Sequence, residues 1–146
     1  MTFKESEVGR IPSSWNVMKL SEVGNIVGGG TPKTKVEEYW NGNIAWITPK
    51  DLSGFTERYI FSGDRNITDE GLQNSSAKLL PKNSVLFSSR APIGYVALAG
   101  KEMATNQGFK SVVCDDDKAF PLFIYYLLKC KGSLIVNIAS GSTFKE

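Results

Sequence analysis

Three short apolar segments in the second half of the chain carry the clearest strand pattern. Residues 84–89, 93–99 and 107–114 are rich in Val, Leu, Ile and Phe, and Pro92 and Gly100 lie between them. Apolar runs of this length, bounded by turn-forming residues, are typical of β-strands. We therefore predict an antiparallel sheet built from these segments.

A fourth strand is predicted at residues 43–48, earlier in the chain. The order of side chains there alternates as in a strand, so Ile44 and Trp46 should share one face. The dipeptide Asn41-Gly42 comes directly before this segment. Because both residue types tolerate positive φ, the dipeptide favours a tight turn.

Helices are predicted at four places between residues 48 and 138. Thr-Pro-Lys-Asp at residues 48–51 has the order of a helix start, with threonine as the cap and proline at the first helical position. A second helix should run from the cap at residue 68 to about Ala77. The longest helix is predicted over residues 121–131. Gly132 should end it and allow another short helix to follow, up to residue 138.

The composition fits one globular domain. Of 146 residues, 41% are hydrophobic and 22% are charged, which is unlike disordered or fibrous chains. The longest apolar stretch, residues 119–128, is too short to cross a bilayer, which takes about 20 helical residues. The first seven residues lack the apolar core of a secretory signal, so we expect a cytoplasmic protein with no membrane partner.

Reactive side chains are few. The chain has no histidine, and imidazole is the usual general base near neutral pH and the commonest metal ligand. Hydrolases that pair histidine with serine or cysteine are therefore excluded. Cys114 and Cys130 lie in apolar contexts without a Cys-x-x-Cys spacing, so we expect buried, reduced thiols rather than a disulfide or a zinc site.

Charge is unevenly distributed, although the net charge is only +2. Residues 71–114 contain five basic residues against one acidic residue, a local charge of +4. Three aspartates follow at residues 115–117. They fit a solvated turn, and the alternative is a metal site.

A glycine cluster at residues 28–30 predicts an irregular loop. It fails the spacing of nucleotide-binding loops, because Lys33 occupies a position where those motifs require glycine. Exposed backbone N–H groups beside Lys33 and Lys35 could grip a DNA phosphate, and the alternative is a plain connecting loop.

Short polar side chains, an arginine and two amides lie at the ends of predicted strands. Residues 88–90 are Ser-Ser-Arg and residues 105–107 are Thr-Asn-Gln. Arginine pairs with guanine, Asn or Gln with adenine, and Ser or Thr with phosphates. The alternative is that the amides satisfy local backbone groups while Arg90 forms an ion pair.

Six motifs follow one another in a characteristic order along the chain. They are Ile-Pro-Ser-Ser-Trp at 11–15, Gly-Gly-Thr-Pro at 29–32, Gly-Asn-Ile-Ala-Trp at 42–46 with Asp51, the segment 80–94, Ala-Thr-Asn-Gln at 104–107 and Gly-Ser-Thr-Phe-Lys at 141–145. This order, over residues 11–145, resembles a known family, the target-recognition domains of the DNA specificity subunits of type I restriction-modification systems.

The resemblance implies an α/β (α+β) fold, with a small, curved, mainly antiparallel β-sheet and short flanking helices. It implies sequence-specific binding of double-stranded DNA by a non-catalytic subunit. Partner subunits would then methylate adenine with S-adenosylmethionine, or restrict DNA with ATP and Mg²⁺, so no cofactor or metal is expected on this chain. In the family a long spacer helix and a second domain follow. Residues 1–146 are therefore expected to form one N-terminal half-site domain without them.

The candidate DNA-binding residues lie in the predicted loops and strand ends. The resemblance implies that the recurring motifs at 80–94 and 106–107 act as scaffold or phosphate contacts. Base selection would then fall to residues 33–38, 50–64 and 65–78. The full set is Lys33, Thr34, Lys35, Lys50, Arg58, Arg65, Asn74, Lys78, Ser89, Arg90, Asn106 and Gln107.

Two other functions compete with DNA recognition. The module could chiefly dock protein within a modification complex and have little DNA affinity of its own. It could also be a small carboxylate-dependent enzyme, which only the aspartates at 115–117 favour. That enzyme would need acidic side chains that converge in a pocket.

Overall fold

The computed structural model describes residues 2–7, 9–14, 19–90, 93–115 and 120–140, with backbone alone for Leu20 and for residues 131–140. Two sheets, a hairpin, three α-helices and two short 3₁₀ helices make up these parts of the chain. The strands are β1 (Phe3–Ser6), β2 (Gly9–Pro12), β3 (Gly24–Gly28), β4 (Trp40–Ile47), β5 (Tyr59–Ile60), β6 (Arg65–Ile67), β7 (Val85–Phe87), β8 (Val96–Ala99), β9 (Ala104–Thr105) and β10 (Lys110–Cys114). The helices are α1 (Leu20–Val23), α2 (Asp69–Gln73) and α3 (Pro121–Ser140), and the 3₁₀ helices span Glu37–Tyr39 and Pro49–Leu52.

The strands pair in a mainly antiparallel way, as predicted, but they form two sheets rather than one. A five-stranded sheet has the order β3-β10-β7-β8-β5, and a three-stranded sheet has the order β6-β4-β9. Two pairs, β5 with β8 and β4 with β9, are parallel. Strands β1 and β2 form a separate antiparallel hairpin. The mixed α+β fold with short helices is confirmed.

Alternating side chains build the core in layers. In β7, Leu86 faces the cluster shared with the three-stranded sheet, while Val85 and Phe87 face α3. In β4, the side chains of Ile44 and Trp46 lie together on the outer face of the three-stranded sheet, as predicted. This period of two follows from the pleat of a strand. Both sheets therefore bury one face against each other, and α3 covers the far face of the larger sheet.

The Asn41-Gly42 dipeptide does not form the predicted turn. Both residues lie inside β4, where Trp40 and Ile44 both pair with Ile67 across a bulge. Asn41 has a φ of 63°. Positive φ serves a bulge as well as a hairpin turn, which is why the dipeptide alone misled the prediction.

Two helix boundaries also differ from the predictions. Helix α3 continues through Gly132 to Ser140 without a break, because one glycine costs a helix only about 1 kcal/mol. Helix α2 ends at Gln73, well before Ala77. The Ser75 hydroxyl donates to the Gly71 carbonyl at 2.7 Å, and such side-chain bonds compete with the helical ladder.

Neither cysteine forms a disulfide among the described residues, and the predicted burial is wrong for Cys130 and only partial for Cys114. Cys114 is half-buried, whereas Cys130 is exposed. Cys130 follows Phe123 and Leu127 on the outer side of α3, and all three side chains are exposed. The apolar residues around Cys130 in the sequence therefore did not mean that its side chain is buried. Within the described residues no helix is long and apolar enough to span a membrane.

Candidate nucleic-acid interface

An open cleft of about 280 Å³ brings together side chains from three separate parts of the chain. Four of the twelve predicted DNA-binding residues line it. Lys50 comes from the second 3₁₀ helix, Arg90 follows β7, and Asn106 and Gln107 follow β9. The remaining lining residues are Thr48, Pro49 and Gly108.

The 3₁₀ helix that carries Lys50 begins as the sequence predicted. Asp51 accepts hydrogen bonds from the Thr48 backbone N–H at 2.8 Å and from the Thr48 hydroxyl at 3.1 Å. Its other carboxylate oxygen accepts the Asp64 N–H at 3.1 Å. This capping box satisfies backbone donors at the helix start. Asp51 is next to Lys50 in sequence, but its carboxylate binds Thr48 and the Asp64 N–H and forms no ion pair with Lys50 among the described residues.

The loop after β9 extends the pairing of β4 with β9. The Asn106 N–H donates to the Ile47 carbonyl at 2.9 Å. The Asn106 side-chain oxygen accepts the Gly108 N–H at 2.8 Å, which closes the loop on itself. A Cβ at Gly108 would lie 3.0 Å from Pro49 Cγ, tighter than nearly all real contacts. The loop therefore packs directly on the helix that presents Lys50.

Arg90 joins the cleft through the same loop. The Ser89 N–H donates to the Gly108 carbonyl at 2.8 Å. Ser89 is half-buried, and its hydroxyl also faces that carbonyl, at 3.4 Å. Ser89 thus contributes to the packing of the loop, while the Arg90 side chain is exposed.

Two tryptophans hold the loop of residues 29–36, here called the glycine-rich loop, beside the cleft. The indole N–H of Trp46 donates to the Gly30 carbonyl at 2.9 Å, and that of Trp40 donates to the Lys33 carbonyl at 3.1 Å. The two rings meet edge to face, with centroids 5.1 Å apart. A buried indole needs an acceptor for its N–H. No pattern in the sequence indicated that a loop carbonyl would be the acceptor.

The glycine-rich loop is also joined to the loop after β9. The Gly30 N–H donates to the Thr105 carbonyl at 3.0 Å. The Thr31 hydroxyl donates to the side-chain oxygen of Gln107. Sequence reasoning missed Thr31, because its partner lies 76 residues away. Lys33, Thr34 and Lys35 are exposed on this loop.

Three further candidates flank the glycine-rich loop. The guanidinium of Arg65 lies 3.7 Å from the centroid of the Trp40 ring, a cation–π contact. Asn74 and Lys78 are exposed on either side of Ser76, against which the Gly30 backbone packs closely. The Asn74 side chain donates to the Glu70 carbonyl at 2.9 Å and so caps the end of α2.

Arg58 is the one candidate that the structure places elsewhere. Its guanidinium donates to the Tyr126 hydroxyl at 3.1 Å, on α3. That hydrogen bond raises the pKa of Arg58 above its ordinary value. Arg58 does not line the cleft.

The cleft is cationic. Among the described residues, neither Lys50 nor Arg90 forms an ion pair, and both are exposed. The residues that the structure describes include no group of three or more His, Cys, Asp or Glu side chains that could bind a metal. The aspartate run is not tested, since Asp116 and Asp117 lie outside the described residues. The Gly-Ser-Thr-Phe-Lys motif at 141–145 lies outside them as well.

Comparison with known proteins gives consistent results for sequence and structure. A type I restriction enzyme specificity subunit, MjaIX of Methanocaldococcus jannaschii, is 45% identical over 146 residues, which cover 99% of this chain and 34% of that protein. The EcoR124I/EcoR124II specificity subunit of Escherichia coli is 36% identical over 144 residues, covering 95% of this chain and 33% of the relative. The chain thus spans about a third of the length of these relatives.

Solved structures show the same fold. The HsdS subunit of Thermoanaerobacter tengcongensis superposes with a TM-score of 0.71 at 19% identity, covering 92% of this chain and 32% of that one. A chain from a structure of type I R-M complex assembly and conformational transition gives 0.62 at 22% identity, over 85% of this chain and 30% of that one. The family model for the type I restriction modification DNA specificity domain matches residues 12–146. The chain therefore belongs to the family of type I restriction-modification DNA specificity domains.

Proposed function

We propose that this chain binds double-stranded DNA sequence-specifically, as a target-recognition domain of a type I specificity subunit. The observation that carries DNA binding in this proposal is the convergence of Lys50, Arg90, Asn106 and Gln107 on one open cleft. Cations without an ion pair and amide NH₂ donors are groups that contact nucleic acid. The flanking cations of the glycine-rich loop, Lys33 and Lys35, extend this surface.

The proposal assigns the chemistry on DNA to other subunits. The chain would recognise the target sequence. A modification subunit would methylate adenine with S-adenosylmethionine, and a restriction subunit would use ATP and Mg²⁺. No cofactor is proposed for these residues. Because the chain spans a third of its relatives, we propose that it reads one half of a split target. Its place of action would be the cytoplasm.

A salt titration tests the proposal. Labelled 24-bp duplexes of randomised sequence are titrated with the chain at several salt concentrations, starting near 50 mM. The logarithm of the association constant should fall linearly with the logarithm of the salt concentration. Each phosphate that the chain neutralises should contribute about −0.9 to the slope. No binding at the lowest salt, or binding indifferent to salt, would contradict the proposal.

A matched pair of double variants locates the interface. Lys50→Gln with Arg90→Gln removes two cations from the cleft. Lys4→Gln with Arg10→Gln removes the same charge from the β1–β2 hairpin, which contributes no residue to the cleft. The cleft variant should lose most of the affinity and the hairpin variant little. Equal losses would show that net charge alone drives binding.

Protein docking is a second candidate function, which the outer side of α3 favours. Phe120 is 77% exposed and Phe123 63% exposed, and Tyr126 and Leu127 beside them are also exposed. Exposed apolar patches often mark protein interfaces. The partner in this candidate is the modification subunit. Phe123→Ser should then abolish co-purification with that subunit and leave DNA binding intact; unchanged co-purification counts against it.

A further inference from the structure

The side chains that line the cleft offer hydrogen-bond donors, while their acceptors are already in use. Asn106 shows this best, because three of its four polar groups have partners. Its N–H donates to Ile47, its carbonyl accepts the Thr105 hydroxyl at 3.0 Å and its side-chain oxygen accepts the Gly108 N–H. Of the four polar groups of Asn106, the Nδ2 group is the one that has no partner among the described residues.

The orientation of this amide is set by the backbone. A backbone N–H can only donate, so the atom of Asn106 that faces Gly108 must be the oxygen. The NH₂ group is therefore the end that remains for a ligand. Gln107 is arranged in the same way, since its side-chain oxygen accepts the Thr31 hydroxyl and leaves its NH₂ group outward.

Two of the backbone carbonyls that line the cleft are engaged as well. The Thr48 carbonyl accepts the Asp51 N–H at 3.0 Å, and the Gly108 carbonyl accepts the Ser89 N–H. Lys50 and Arg90 add cationic donors without acceptors. A ligand that supplies acceptors and negative charge therefore matches the groups that this cleft offers.

We infer that this cleft binds a phosphodiester group of the DNA backbone and reads no base; the inference rests on the proposed function. Recognition of adenine by Asn or Gln needs both amide ends, a donor to N7 and an acceptor for the N6 amino group. Here the oxygen of Asn106 faces Gly108 instead. The guanine edge offers two acceptors but no charge, whereas two unpaired cations match an anionic phosphate. The cleft thus fixes the register of the domain on DNA, and base selection lies in other loops.

Asn106→Asp tests this inference with little change in shape. The variant keeps an oxygen to accept the Gly108 N–H and replaces the outward NH₂ donor with a negatively charged oxygen. The control, Asn25→Asp, makes the same charge change at an exposed site on β3, at the end of the strand away from the glycine-rich loop. Each protein is incubated with the randomised 24-bp duplex pool, and both the apparent Kd and the sequences of the bound fraction are measured.

The expected result is a loss of affinity without a change in base preference. Asn106→Asp should weaken binding at least about tenfold, the scale of a lost charge-assisted hydrogen bond. The bound sequences should match those of the wild type, and Asn25→Asp should remain within about twofold. A loss confined to duplexes with one base at one position would overturn the inference, because the cleft would then read that base. Unchanged affinity would overturn it too.

A second variant guards against a folding defect. Lys50→Gln changes an exposed side chain that has no bond to another described residue. It should lower the salt slope by about 1 and leave base preference unchanged. An altered base preference, or an unchanged salt slope, would overturn the inference about the cleft and leave the proposed function standing. A wild-type chain that binds no duplex at low salt overturns the proposed function itself.

Discussion

Trp46→Phe should loosen the glycine-rich loop, because it removes the indole N–H that holds the Gly30 carbonyl. Trp46 is 6% exposed, and its bond to Gly30 is 2.9 Å long. A buried acceptor left without its partner costs about 1–3 kcal/mol. The smaller ring also leaves a cavity that costs about 1 kcal/mol. The free energy of unfolding should therefore fall by about 3 kcal/mol.

Urea denaturation followed by circular dichroism measures this loss directly. For a domain of this size, about 3 kcal/mol corresponds to a fall in Tm of about 10 °C. Trp40→Phe is the comparison, since its indole bond to Lys33 is longer, at 3.1 Å, and less buried. The cavity cost of about 1 kcal/mol is the same, because Trp40 is only 5% exposed. The weaker bond adds only about 1 kcal/mol, so the total should be about 2 kcal/mol. If Trp46→Phe lies within about 0.5 kcal/mol of the wild type, the hydrogen bond does not anchor the loop and the reasoning is refuted.

Two further predictions concern the scaffold, and both are checked by urea denaturation. Ser111 is fully buried and its hydroxyl has no partner among the described residues, so Ser111→Ala should stabilise the fold by about 1 kcal/mol. Ser84→Ala should destabilise the fold by about 1 kcal/mol, since the Ser84 hydroxyl donates to the Pro81 carbonyl at 2.7 Å. If the two variants change the free energy of unfolding in the same direction and by the same amount, this prediction is contradicted. Gly42→Ala should cost about 1–3 kcal/mol, because a Cβ there would lie 2.5 Å from the Ile67 carbonyl oxygen. Gly28→Ala has open space and should be nearly neutral, and a neutral Gly42→Ala would show that the bulge relaxes.

Local patterns predicted the local structure well. The alternation around Ile44 and Trp46 identified their shared face, and the Thr48 to Asp51 pattern identified a capped helix start. These features depend on neighbours within a few residues. Where two structures use the same local conformation, the pattern could not choose between them, as the Asn41-Gly42 bulge shows.

The cleft could be named from the sequence only as separate residues. Lys50, Arg90 and Asn106 meet because Gly108 packs on Pro49 and bonds to Ser89, contacts between distant segments. No periodicity encodes such contacts. The division into two sheets and the two parallel pairs are long-range features of the same kind, and so is the separation of Arg58 from the cleft.

Amide chemical shifts recorded during a DNA titration test the central claim most directly. The 146-residue chain is labelled with ¹⁵N and titrated with the randomised 24-bp duplex at low salt. The amides of residues 30–35 and 48–50, apart from Pro32 and Pro49, and those of residues 106–108 should show the largest changes. The β1–β2 hairpin and the outer side of α3 should change little. Changes centred on Phe120 to Leu127, or none at the cleft, would contradict the account.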